Sequence, residues 1–152
     1  MQLVLFTNNA HKVNEITHML DIPGLPVVPY TEIYKQPIDV VEDGDTFEAN
    51  ALIKVTALPP MPNQVVLAED SGIEVAHLDG GPGIYSARYG GHSVHPEDYC
   101  LKLLKDCYGA GNRDATFTAV MAVRLPNQDT HTFRGEVHGT LAHEMRGTDG
   151  FG

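Results

Sequence analysis

The sequence predicts an α/β fold built on a mixed sheet. Apolar runs of strand length alternate with segments of helical period, and no internal repeat or linker interrupts them. With 152 residues, 42% of them hydrophobic, the chain can bury one domain's core, so a single domain over residues 1–152 is expected.

Each element has a local reason. Gln2–Thr7 is a short apolar run cut off by polar residues, which is the pattern of a buried strand. Asn9–Leu20 places Val13, Ile16, Met19 and Leu20 at helical spacing, with Asn8 or Asn9 as cap and Pro23-Gly24 as the stop. Leu25–Val28 reads as a second strand, and Thr31–Asp45, without a period, as loop. Thr46–Leu58 is again helical, with Phe47, Ala51, Val55 and Leu58 on one side and Pro59-Pro60 ending it. Val65–Glu69 and Ile73–Leu78 read as strands joined through a tight turn at Ser71-Gly72, and Asp79 to Gly83 as a turn cluster. His95–Tyr108 is the clearest amphipathic helix, with Tyr99, Cys100, Leu103, Leu104 and Cys107 on its stripe. Ala115–Leu125 and His131–His143 read as long strands joined by Pro126-Asn127-Gln128.

Composition narrows the partners. A net charge of −10 repels a nucleic-acid polymer. A small anionic ligand would need a local cluster of donors or a metal. No apolar stretch approaches the ~20 residues of a membrane span, and Met1–Phe6 is too short for a signal core. Cys100 and Cys107 are seven residues apart on one predicted helix, roughly 10 Å and too far for a disulfide. Two thiols buried on an apolar face suit a reducing cytoplasm.

Five places carry chemistry. Thr7-Asn8-Asn9-Ala10-His11-Lys12 lies where a strand feeds a helix, a position that offers N–H groups, a positive dipole end and the Lys12 charge to a phosphate. Taken alone, those six residues describe an ordinary polar turn better than a ligand site. Glu42-Asp43 and Glu69-Asp70 are paired carboxylates. Pairs usually stay in solvent, but a pair ending an apolar strand needs a partner, and a hard divalent cation supplies one. Lys54 falls on the core-facing arc of its helix beside Asn50, where a lysine either snorkels or enters a polar cleft. Arg88, in Tyr85-Ser86-Ala87-Arg88-Tyr89, either clamps phosphate or pairs with an acid. The eight histidines have no metal-ligand spacing, and neither a nucleophile elbow nor a Walker-type phosphate loop occurs.

Together these segments resemble the inosine triphosphate pyrophosphatase family. The matching residues are Thr7-x-Asn9-x-x-Lys12, Glu42-x-Gly44-x-Thr46-Phe47-x-x-Asn50-Ala51-x-x-Lys54, Ala68-Glu69-Asp70-Ser71-Gly72-Ile73-x-Val75, Gly81 through Tyr89, and Gly147-Thr148-x-Gly150-Phe151-Gly152. They keep the family's order from end to end. The resemblance implies an elongated, two-lobed α/β fold with a long mixed central sheet flanked by helices, usually dimeric. It implies magnesium-dependent cleavage of a non-standard purine nucleoside triphosphate, such as ITP, dITP or XTP, to the monophosphate and pyrophosphate. Asp70 would be the catalytic carboxylate and a metal ligand, with Glu42 as second ligand and Glu69 as a further candidate. Thr7, Asn8, Asn9, Ala10, His11 and Lys12 would cradle the triphosphate with Lys54, Ser71 and Arg88, and Phe151 and Gly152 would begin a segment that touches the base.

Three departures qualify the resemblance. Glu69 stands where an aspartate is usual, and Asn8 where a small residue is. The family's last motif continues through Tyr-Asp-Pro to a helix with a purine-reading Ser-His-Arg signature, whereas this chain ends at Gly152. Against ~190 residues for such a domain, the C-terminal segment is expected to be missing. Two other readings follow: a nucleotide-binding remnant impaired in catalysis, and a septum-inhibitor-type nucleotide pyrophosphatase. The latter group carries an arginine pair where this chain has Ala10-His11-Lys12.

Overall fold

The computed structural model describes residues 1–91 and 96–147. The predicted helix start at His95 and the candidates Phe151 and Gly152 lie outside the described residues. In chain order the elements are β1 (Gln2–Phe6), α1 (Ala10–Met19), β2 (Val27–Pro29), α2 (Tyr30–Ile33), α3 (Phe47–Ala57), β3 (Gln64–Val75), α4 (Pro96–Asp106), β4 (Asp114–Arg124) and β5 (Thr130–Thr140). Short 3-10 turns at Ala76–Leu78 and Gly83–Arg88 follow β3.

One five-stranded sheet has the order β2-β1-β3-β4-β5. β1 pairs in parallel with β2 on one side and β3 on the other, with Phe6 opposite Ala68. Parallel strands carry helices on both faces, which is why Leu3 to Phe6 are all buried and read as an unbroken apolar run. β4 and β5 are neighbours joined by the turn at Leu125–Asp129, closed by Leu125 N–H to Asp129 O at 2.8 Å. So short a connection joins antiparallel strands only, so the sheet is mixed as predicted.

Two predictions are corrected. Ser71-Gly72 does not turn: β3 runs unbroken for 12 residues. Gly72 is buried and has no positive φ. β3 lies between β1 and β4, and its ladder outweighs the freedom of a single glycine. The chain turns at the 3-10 segment instead, where Asp79 (φ 52°) and Gly80 (φ 87°) adopt left-handed backbone. The predicted loop after β2 holds α2, one turn whose Tyr30 is fully buried, its ring edge-on to Phe6 at 4.6 Å. Four residues are too few to show a period.

The chain forms two compact units, residues 1–70 with 120–134, and residues 71–119 with 135–152. In the first, Leu3, Leu5 and Leu67 pack under Ile16 of α1, with Val13, Leu20, Leu25, Val27, Met121 and Val123 around them. Fully burying one such side chain contributes about 1.5–3 kcal/mol. Thr46 caps α3 through Ala49 N–H at 3.1 Å. The buried guanidinium of Arg124 holds the other end, donating to Leu58 O at 2.7 Å. In the second unit Val75, Leu103 and Cys107 are buried, with the partly buried Tyr89, Ala115 and Leu141 packed against them. Cys107 is buried and Cys100 half-buried, and burial raises the pKa of both thiols. Among the described residues no helix is long and apolar enough to cross a membrane.

Candidate active site

The parallel pairing of β1 with β3 decides where the site forms. Phe6 is opposite Ala68, so Thr7 onward, where the chain leaves β1, lies level with Glu69-Asp70 in the middle of β3. That level is the carboxyl end of β1, where parallel sheets collect ligands.

The Thr7–Lys12 segment is built by its own side chains. Asn9 caps α1, its Oδ1 accepting from His11 N–H at 2.9 Å and Lys12 N–H at 3.3 Å. Thr7 Oγ1 accepts from Asn9 N–H at 3.1 Å. The prediction of open N–H groups at this terminus is thereby modified, since two of them are already paired. Asn8 Oδ1 accepts from the Tyr30 hydroxyl, and that hydroxyl accepts from Ile38 N–H at 3.2 Å. Tyr30 therefore ties this turn to the segment leading towards Glu42.

Alternation along β3 separates the two acids. Glu69 shares a face with Leu67, the face covered by α1, and Asp70 points to the other. The ion pairs follow that division. Lys12, from the first turn of α1, pairs with Glu69 Oε2. Lys54, from α3, reaches Asp70 Oδ1 at 2.8 Å and Glu42 Oε2 at 2.8 Å. It also donates to Glu69 O at 3.1 Å.

An ammonium has three N–H donors, and these three acceptors match them. Burial works to depress the Lys54 pKa, but hydrogen bonds and charge from Asp70 and Glu42 outweigh it and hold the value above the ordinary one. The lysine is charged throughout the physiological range. It neither snorkels nor packs as a core residue.

The donor set suits a hard cation. Glu42 and Asp70 converge on one positively charged atom, each at 2.8 Å. Among the described residues no three His, Cys, Asp or Glu side chains are disposed to hold a metal by themselves. Magnesium typically takes one or two carboxylates and fills its remaining positions with water and substrate phosphate oxygens.

Of the predicted site residues, the structure gathers Thr7, Asn8, Asn9, Ala10, His11, Lys12, Glu42, Lys54, Glu69 and Asp70 in the first unit. Ser71 and Arg88 belong to the second, where Arg88 lies 5.1 Å from the Tyr85 ring centroid. Tyr30, with its hydroxyl network, had no sequence signal. Arg124 had one: Thr118, Val120, Ala122 and Arg124 are buried at every second residue of β4, so the arginine falls in inward register.

Comparison with known proteins finds relatives that match nearly the whole chain. The Ham1 family model matches residues 3–152. A dITP/XTP pyrophosphatase of Bacillus licheniformis is 39% identical over 153 residues, which cover 99% of this chain and 78% of that protein. The solved structure of the Staphylococcus aureus Ham1 protein matches with a TM-score of 0.86 at 38% identity, over 100% of this chain and 78% of that one. A HAM1 protein from Coxiella burnetii matches with a TM-score of 0.84 at 31% identity, again over 100% and 78%.

Proposed function

The chain belongs to the Ham1 family, and from that premise we propose that it hydrolyses non-standard purine nucleoside triphosphates, dITP and XTP among them, to the monophosphate and pyrophosphate. The observation that carries this reading is the convergence of Glu42 and Asp70 on Lys54, beside the Lys12–Glu69 pair, at one strand end. Two lysines supply positive charge for phosphate oxygens, and the carboxylates supply a base and hard-cation ligands.

In the proposed reaction water adds to the α-phosphorus, and the α–β bridging oxygen leaves with pyrophosphate. Negative charge repels the attacking water, so catalysis here is positioning and neutralisation. Lys12 and Lys54 bring positive charge near the phosphate oxygens. Asp70 orients the water and takes its proton. Thr7, Asn8 and His11 line the turn beside Lys12. Glu42 and Asp70 would hold magnesium, whereas the side chain of Glu69 faces α1 on the other side of β3. The metal, when bound, offsets the charge that develops on the phosphate oxygens. Ser71, Arg88, Phe151 and Gly152 stay in the proposal on their motif positions, and a homodimer on the resemblance.

The test is pyrophosphate release from XTP, ITP and ATP by this chain with magnesium. Release from XTP and ITP above ATP is expected. Asp70→Asn should abolish it while circular dichroism stays unchanged. A folded chain that releases nothing from any of the three overturns the reading, and a fully active Asp70→Asn removes Asp70 from its role. Sedimentation velocity that finds only monomer removes the dimer.

A further inference from the structure

One buried side chain joins the acidic segment before α3 to the strand that carries Asp70. Asn50 is 1% exposed and lies one helical turn before Lys54 on the same face of α3. Its Oδ1 accepts from Gly44 N–H at 2.9 Å, and its Nδ2 donates to Asp70 Oδ2 at 3.4 Å. Only one orientation of the amide satisfies both partners, because the peptide N–H only donates and the carboxylate only accepts. Aspartate would keep the first bond and lose the second. Leucine, of similar shape, would lose both.

Gly44 supplies an independent observation. A Cβ there would stand 2.7 Å from Asn50 Oδ1 and 2.7 Å from Ala49 Cβ. The backbone two residues beyond Glu42 is thus seated on the amide as closely as a residue without a side chain allows.

We propose that Asn50 is a positioning residue that fixes Glu42 and Asp70 relative to each other, so that both carboxylates meet at one cation. The inference rests on the function proposed above for the role of that cation. Asn50 touches neither substrate nor reacting water. It acts through the two carboxylates, as outer-layer partners of metal ligands do.

Three readouts test it on this chain. The first is hydrogen exchange at the Gly44 amide. The second is binding of Mn2+ alone, followed by electron paramagnetic resonance without nucleotide. The third is the division of any rate loss between kcat and KM for XTP. Asn50→Leu should speed Gly44 exchange and weaken Mn2+ binding by about tenfold or more. Its kcat should fall by a similar factor, with KM for XTP changed less than threefold. Asn50→Asp should keep Gly44 protected and still lower kcat about tenfold.

Unchanged Gly44 exchange and Mn2+ affinity in a folded Asn50→Leu overturn the proposal. Should that variant not fold, wild-type kcat in Asn50→Asp overturns it equally. If the unaltered chain releases no pyrophosphate, the functional reading fails by itself. Gly44 exchange and Mn2+ binding then decide the Asn50 proposal.

Discussion

Lys54 holds its ammonium 2.8 Å from Asp70 Oδ1, with Glu42 Oε2 at the same distance on the same nitrogen. Two carboxylates share one lysine, so removing it leaves both without their cation. Breaking a buried pair by deleting one partner costs about 3–5 kcal/mol. Glu42 is partly exposed, which places the expected loss for Lys54→Met at or below the lower end of that range. Magnesium should return part of it, raising the Tm of Lys54→Met more than that of the unaltered chain. Thermal denaturation with and without the metal checks this. An equal shift in both proteins would separate the metal from this carboxylate pair.

The same pair sets a pH dependence. The folded-state pKa of Lys54 is raised above the ordinary 10.5. A raised lysine contributes stability that is complete below the unfolded value and is lost as pH rises through the folded one. The stability difference between the unaltered chain and Lys54→Met should therefore be level from pH 7 to 10 and narrow above about 10.5. Urea unfolding across that range measures it, and a difference that narrows below pH 9 contradicts the pairing.

Gly44→Ala should disturb the segment that carries Glu42 without altering any charge. The new methyl meets Asn50 Oδ1 and Ala49 Cβ at 2.7 Å, closer than real contacts come. Overpacking of this kind costs about 1–3 kcal/mol. Urea midpoints should fall accordingly, and kcat for XTP should fall with them. A variant as stable and active as the parent would mean that the backbone at Gly44 is not seated as described.

Tyr30→Phe removes one hydroxyl from between Asn8 and Ile38. The ring keeps its edge contact with Phe6, so the loss is that of the hydrogen bonds, about 1–2 kcal/mol. Because Asn8 lies in the turn proposed to meet phosphate, KM for XTP should rise more than kcat falls. Steady-state kinetics distinguishes the two, and a loss confined to kcat would assign Tyr30 elsewhere.

Arg124→Leu strips the carboxyl end of α3 of its donor. Leu58 O, bonded at 2.7 Å in a buried setting, would be left unpaired at a cost of about 1–3 kcal/mol. Burial lowers the guanidinium pKa, opposed by Tyr34, and among the described residues no carboxylate offsets it. Charge removal should therefore recover part of that cost, and urea unfolding gives the net value. A more stable Arg124→Leu would show that desolvation of the guanidinium outweighs its bond to the helix end.

Much of this was legible in residue spacing. β1, α1, α3, α4 and the β4–β5 pair follow apolar periods long enough to be unambiguous, and Asn9 and Thr46 mark helix starts by their capping chemistry. Asp70 and Lys54 were legible as charged residues at buried positions. Three features were not. α2, at four residues, is little more than one helical turn and too short for its period to repeat. The continuity of β3 through Ser71-Gly72 is decided by its neighbours β1 and β4, which local sequence cannot state. Tyr30 acts through partners at Asn8 and Ile38, far from it in sequence, and no spacing rule connects them. Asn50 lay in view on the buried edge of its helix, but its bond to Gly44 appears only once the loop is folded back.

The pleat of β3 has a consequence for how this site can vary. Glu69 answers to α1 through Lys12, and Asp70 answers to α3 through Lys54, on opposite sides of one strand. The sheet acts as a partition between two electrostatic half-chambers joined at the backbone, where Lys54 also donates to Glu69 O. Exchanging Glu69 for a shorter acid would retune the α1 chamber while the α3 chamber kept its geometry. A glutamate at this position is then a local adjustment of the Lys12 side.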